Sequence, residues 1–216
     1  MLKIALGMLL LLAPVMAAAA ADKPLPLATA EASAKAHPKD ANAWIQLARS
    51  RMYAGKTEEA VDAASRAVAL APRLAEAHYW LGNAYGNRLG DVGMFGKLKL
   101  APKLRDAFVR TIELDPGYIK ARSNLIEFYL QAPDMLGGGV DKARAQAREI
   151  GKRDKARGLL AQARIAYHEK DTVAALKAYQ GAAAAATDDP EVLYPVALAY
   201  LYAERSEDAL PLLRSA

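Results

Sequence analysis

The feature that most constrains this chain is a unit that recurs along it. From Ala41 to Leu74 a 34-residue stretch carries Trp44, Leu47 and Ala48, then Gly55, then Ala60, Ala64 and Ala67, and ends near Pro72. These spacings place apolar and small side chains on one face of each of two helices. Small residues let two helices approach closely, and large ones fill the groove between them. Gly55 suits the C-cap conformation that turns the chain back, and Pro72 stops the second helix. The pattern returns near 75–118, with Leu81, Gly82 and Tyr85 followed by Phe108, Leu114, Asp115 and Pro116. It returns near 119–155 (Ala121, Leu125, Tyr129, Ala143, Ala147) and near 156–189 (Ala163, Asp171, Ala175, Tyr179, Ala182). A last unit lies near 190–216, with Leu193, Ala197, Tyr200, Ala209 and Leu213. In the fourth unit Gln162 stands where a leucine is expected, which predicts a first helix shifted by a residue or two. Ahead of the array, residues 21–40 read as a linker and one lone helix, Leu27 to His37, closed by Pro38. Alanine dominates the apolar residues while Val and Ile are sparse, which favours helix over strand.

Taken together, these residues resemble the tetratricopeptide repeat (TPR) family. The resemblance covers nearly all of residues 41–216. It implies an all-α fold, a right-handed α-solenoid of about five helix pairs plus an N-terminal helix. It also implies a concave groove lined mainly by first helices and a non-catalytic role as a scaffold for proteins or peptides. Some members of the family clamp a peptide carboxylate with paired lysines and asparagines. Asn83 would suit that clamp, but Ile45 stands where its first lysine belongs, so the clamp is not expected. The strings LDPGYIKA and FYLQAP, and GGG before a helix, also resemble the periplasmic TPR component of substrate-binding-protein-dependent (TRAP-type) transporters. That likeness implies an alternative, an accessory protein holding a small ligand in its groove or pore.

The N-terminus reads as a processing signal over residues 1–20. Lys3 precedes an apolar run from Ile4 to Val15, and the alanines from Ala17 to Ala21 supply the small residues a signal peptidase accepts. The run is too short for a comfortable membrane span, so no stable membrane anchor is expected after cleavage. The chain has no cysteine, which excludes disulfides, thiolate metal sites and cysteine nucleophiles. Export without disulfides points to a periplasm, with secretion as the minor option. Removing Lys3 from the 29 basic residues leaves 28 against 24 acidic ones, a net of +4. That bias is too small to imply nucleic acid.

Candidate chemistry is sparse. His37, His78 and His168 lie in different units, without the clustering a metal needs, so neither metal nor cofactor is expected. Glu58-Glu59 and Asp188-Asp189 fall at helix starts, where the helix dipole favours negative charge. Gly137-Gly138-Gly139 could present free N–H groups to an anion, but Val140 and Asp141 follow it, so a flexible structural loop is expected. Arg144, Arg148 and Lys152 share a helical face, followed by Lys155 and Arg157. Lys97, Lys99, Lys103 and Arg105 form a second basic group. Both read as solvated faces, with an acidic peptide or a lipid head group as the partner they would suit.

Function should lie on the first-helix face. Its candidates are Arg49 and Tyr53, then Tyr79, Asn83 and Asn87, then Ser123 and Glu127. Tyrosine, arginine and asparagine combine contact area with hydrogen bonding. The second unit spans 44 residues, ten more than the first, and the third is also long. The extra residues fall between the two helices of each unit, around Arg88 to Leu98 and around Ala132 to Val140. Met94 and Phe95 in the first insertion, and Met135 and Leu136 in the second, are expected either to pack on each other as a lip over the groove or only to plug the wider gap left by a longer second helix in the second unit. The final helix carries Leu210, Leu212 and Leu213 with nothing after it to cover them, which predicts self-association there or a chain that continues. Mass spectrometry of the native protein should find its N-terminus between Ala19 and Asp22. An intact Met1 on a cytosolic protein would remove the export reading.

Overall fold

A computed structural model describes residues 23–186 and 188–215. The leader expected over residues 1–20 lies outside them. Among the described residues there are eleven α-helices, one short 3-10 turn and no strand. They fall into two compact units.

The first unit is Pro24–Ile150. It contains α1 (Leu27–Ala36), α2 (Ala41–Tyr53), α3 (Thr57–Leu70), α4 (Ala75–Leu89), α5 (Met94–Leu114), α6 (Ile119–Gln131) and α7 (Val140–Gly151, to Ile150). Consecutive helices pack as pairs, α2 with α3 and α4 with α5. Their contact faces are built largely from alanine: Ala60, Ala63, Ala64, Ala67, Ala77 and Ala84 have no exposed surface. Leu47, Trp44, Met52 and Leu81 fill the space around them. The lone helix α1 lays Ala30 and Ala34 on the same core. It is held by Ser50 Oγ donating to Leu25 O at 2.7 Å. Where α4 meets α5, a Cβ on Gly82 would lie 2.6 Å from the Phe108 ring, so only glycine permits that approach.

Polar groups fix the helix starts. Asp40 accepts from the Asn42 N–H at the head of α2, satisfying one of the donors a helix N-terminus leaves open. Glu58 and Glu59 sit in the first turn of α3. They also pair across to Arg88 at 3.0 Å and Arg51 at 3.6 Å.

The two insertions differ from the expected loops. The turn after α4 is short, and the extra residues lengthen α5, which runs 21 residues. Met94 and Phe95 therefore lie in its first turn and are 71% and 83% exposed. In the second insertion Met135 is 86% exposed, while the Leu136 carbonyl accepts from Arg105 Nη1 at 3.2 Å. Arg105 is ten residues beyond Phe95 on α5, about 15 Å along a helix. Met94, Phe95 and Met135 are thus left largely exposed and are not buried against one another. The reason is helical continuity: residues that continue a helix are carried along its axis instead of folding back.

The glycine string is also tighter than expected. Gly137, Gly138 and Gly139 donate to Asp134 O, Pro133 O and Tyr129 O, at 2.8, 3.1 and 2.8 Å. Gly137 and Gly139 adopt φ of 90° and 132°, values that suit glycine. Their N–H groups are thus engaged by carbonyls, not offered to an anion.

The second unit begins at Gly151. It contains α8 (Lys155–His168), α9 (Thr172–Ala185), α10 (Pro190–Tyr202) and α11 (Ser206–Ser215). Asp154, Asp171 and Asp189 cap α8, α9 and α10. Gln162 is exposed while Leu160, Ala161 and Ala163 are buried, so the core face of α8 lies beside the position where the repeat pattern puts a leucine. Arg157 joins Asp154, Asp189 and Glu191 at 2.7, 2.7 and 2.8 Å, tying the heads of α8 and α10. Burial alone would raise the Asp154 carboxyl. Hydrogen bonds from the Arg157 backbone and guanidinium, with its charge, outweigh burial and hold Asp154 below the usual carboxylate range. At the end, α11 buries Ala209 and rests Leu212 on the core of Val192, Leu193 and Val196, leaving Leu210 and Leu213 exposed.

Gly138 gives a direct test of the glycine turn. An added Cβ would sit 1.7 Å from the Ala132 carbonyl oxygen, so Gly138→Ala should cost about 2 kcal/mol by overpacking. Trp44 and Trp80 both lie in Pro24–Ile150, so their fluorescence during urea unfolding reports this unit. An unchanged midpoint would contradict the loop geometry.

Candidate partner-binding site

The site is built on the first helices of the unit Pro24–Ile150. Arg49 projects from α2 and lies over the Trp80 ring of α4, with its guanidinium carbon 4.7 Å from the ring centroid. Only 8% of Arg49 is exposed, so its charge is largely removed from water and the ring face partly replaces hydration. Its Nη1 also donates to Gln46 Oε1 at 3.2 Å. Trp80 in turn donates from Nε1 to Glu76 Oε1 at 3.3 Å, one helical turn back.

Tyr79 connects this pair to the next repeat. Its ring lies 5.3 Å from Trp80, 5.9 Å from Phe108 and 4.8 Å from Tyr118. Such offset and tilted contacts are the favoured ones for aromatic quadrupoles. Burial, followed by the nearby Tyr79, Glu76 and Asp115, pushes the Tyr118 phenol well above its ordinary value, although Arg49 opposes this. The hydroxyl therefore stays protonated at any physiological pH and can donate as well as accept. Beside the aromatics, Asn83 donates to Tyr79 O at 2.8 Å and accepts from Asn124 of α6 at 3.3 Å. Arg122, itself 6% exposed, donates to Pro116 O through Nε and Nη2 and to Gln146 Oε1 at 2.6 Å. That last bond links α6 to α7.

Of the residues expected on this face, Arg49, Tyr79 and Asn83 are gathered into one connected patch. Ser123 and Glu127 are half-buried on α6. Tyr53, at the end of α2, is 69% exposed, and Asn87 is exposed near the end of α4. Three members of the patch were not foreseen: Trp80, Tyr118 and Asn124. A signal existed for Trp80, since it follows Tyr79 directly and stands four residues after Glu76, the spacing that lets side chains meet on a helix. Tyr118 precedes α6 and carried no helical periodicity to mark it. His78 lies off the patch, its Nε2 2.9 Å from Pro72 O, while His37 and His168 are exposed.

The patch thus offers flat apolar ring surface rimmed by hydrogen-bonding groups, a composition suited to recognition.

Residues 48–87 match the family model described as TPR repeat. The matched stretch contains Arg49, Tyr53, Tyr79, Trp80, Asn83 and Asn87. Among solved structures, a thermophilic TPR protein of Thermus thermophilus aligns over 81% of this chain and 89% of its own, at 21% identity and a TM-score of 0.66. YrrB, described as a TPR protein with an unusual peptide-binding site, aligns over 86% of this chain and 89% of its own, at 16% identity and a TM-score of 0.49. No curated protein matches the sequence. The first likeness places the all-helical, paired-helix architecture with TPR structures, and the sequence match independently supports TPR repeats.

The Arg49–Trp80 contact can be measured by a double-mutant cycle. Arg49→Ala, Trp80→Ala and the double variant, compared by urea unfolding, should show a coupling of about 1 kcal/mol. Strict additivity would mean that the stacked geometry contributes nothing to the patch.

Proposed function

We propose that this protein is a non-catalytic, exported scaffold that binds a segment of a partner protein on the patch formed by Arg49, Tyr79, Trp80 and Tyr118. One observation carries the reading: a half-buried aromatic cluster with an ordered arginine spans first helices of successive repeats. Tryptophan, tyrosine and arginine are the residues whose truncation most often costs binding energy at interfaces. Here their rotamers are already restrained by mutual contact, so less entropy is lost when a ligand arrives. The TPR match over residues 48–87 supports the same use of this face. Arg49 and the exposed Lys120 favour a segment with acidic character, while Glu76 and Glu127 would disfavour a strongly acidic one. The export reading rests on Lys3, the apolar run and the alanines of residues 1–20, and makes a periplasmic partner the expectation.

A displayed library of random peptides, selected on the full chain, tests the proposal. Binders should lose about thirtyfold in affinity on Trp80→Ala, the effect of a hot-spot residue, with the unfolding midpoint recorded for each variant. Peptides whose affinity ignores both Trp80→Ala and Tyr79→Ala would place the binding site elsewhere.

A further inference from the structure

We propose that the N-terminal overhang of α5 docks the protein peripherally on an anionic lipid surface. Helix α5 is the longest of the described helices, and its buried residues begin only at Ala101. None of residues 94–100 is buried, so the first turns project beyond the packed helices. Within this overhang Met94 is 71%, Phe95 83% and Leu98 39% exposed. At 100° per residue these three side chains fall within an arc of about 100°. Lys99 and Lys103 lie on one flank of the arc and Lys97 on the other, all exposed. Residues 92–105 contain four basic side chains and no acidic one.

The base of the overhang is anchored. Thr57 Oγ1 donates to Asp91 in the turn before α5, and Arg88 pairs with Glu58. The apolar tip is thus presented on a fixed support.

Exposed aromatic and Met side chains are unfavourable in water and mark interaction sites. Charge decides which partner suits them. Lysines flanking an apolar arc match anionic head groups above a hydrocarbon boundary. Shape agrees: Phe95 and Met94 protrude, and a fluid interface accepts protruding groups without a matching pocket. Among the described residues no helix is long and apolar enough to cross a membrane, so contact through this tip is interfacial.

The test mixes the full chain with vesicles of phosphatidylcholine alone and with vesicles in which phosphatidylglycerol is roughly a quarter of the lipid. Sedimentation should show binding to the anionic vesicles that weakens as salt is added. Replacing the lysines together (K97Q, K99Q, K103Q) should reduce that binding roughly a hundredfold, at about fivefold per lysine. M94A with F95A should reduce it roughly tenfold. Circular dichroism and melting should not change, because these side chains are exposed. Parent and variants are compared again without residues 1–20, the expected leader, so that the N-terminal apolar run cannot mask a loss of binding at the tip. In F95W the new indole should emit further to the blue on anionic vesicles. Anionic binding that the lysine replacements leave unchanged overturns the proposal. So does an F95W emission that vesicles leave unmoved while an acidic partner protein cross-links at position 95, which would assign the tip to protein docking.

Discussion

Alanine sets the distance between helices in Pro24–Ile150. Ala60, Ala63, Ala64, Ala67, Ala77 and Ala84 are wholly buried, and each brings a backbone close to its neighbour without leaving a gap to fill. Close spacing has a consequence on the outer faces. Trp80, which packs on the cluster of Ile45, Ala67 and Ala77, and the buried Arg49 are brought within contact distance across successive repeats. The arginine–aromatic patch is therefore a product of small side chains it does not contain. A larger residue at Ala67 or Ala77, which share a cluster with Trp80, would overpack the space beneath that ring.

The patch itself joins two kinds of interaction that would be weak apart. An arginine largely withdrawn from water loses hydration, and a tryptophan face restores only part of it. Gln46 supplies a further acceptor. Tyr79 then couples that pair to Phe108 and Tyr118 through ring contacts. Burial pushes the Tyr118 phenol further above its ordinary value, which already keeps a tyrosine neutral at physiological pH. A rigid patch of this kind gains specificity from the fixed position of its donors.

The two insertions illustrate how similar sequence signals give different structures. Both carry glycine and apolar residues, yet one prolongs a helix and the other makes a compact turn. Residues after Gly93 include Lys97, Leu98, Lys99, Leu100 and Ala101, all good helix formers, and the helix simply starts early. Residues after Ala132 include Pro133 and three successive glycines, which end one helix and fix backbone angles open to few other residues. The first outcome leaves Met94 and Phe95 in solvent. The second places Leu136 against Arg105.

The repeat was legible in the sequence because its helix pairs are local. Positions of Trp44, Leu47, Ala48, Ala60 and Pro72 follow from 3.6-residue periodicity and from the stereochemistry of proline, neither of which needs a distant partner. Periodicity also set Arg49, Tyr79 and Asn83 apart from the packing positions, yet Arg49 is buried and Tyr79 packs against three other rings. The C-terminal leucines divide in a way periodicity only half anticipates, with Leu212 resting on the core and Leu210 and Leu213 outside it. Tertiary structure alone decided which first-helix residues meet. Trp80 under Arg49, Tyr118 against Tyr79 and Asn124 on Asn83 are contacts between different elements, set by interhelical spacing and rotation that no single helix encodes. It also decided that Phe95 and Met135 stay largely exposed, because no neighbouring element covers either side chain.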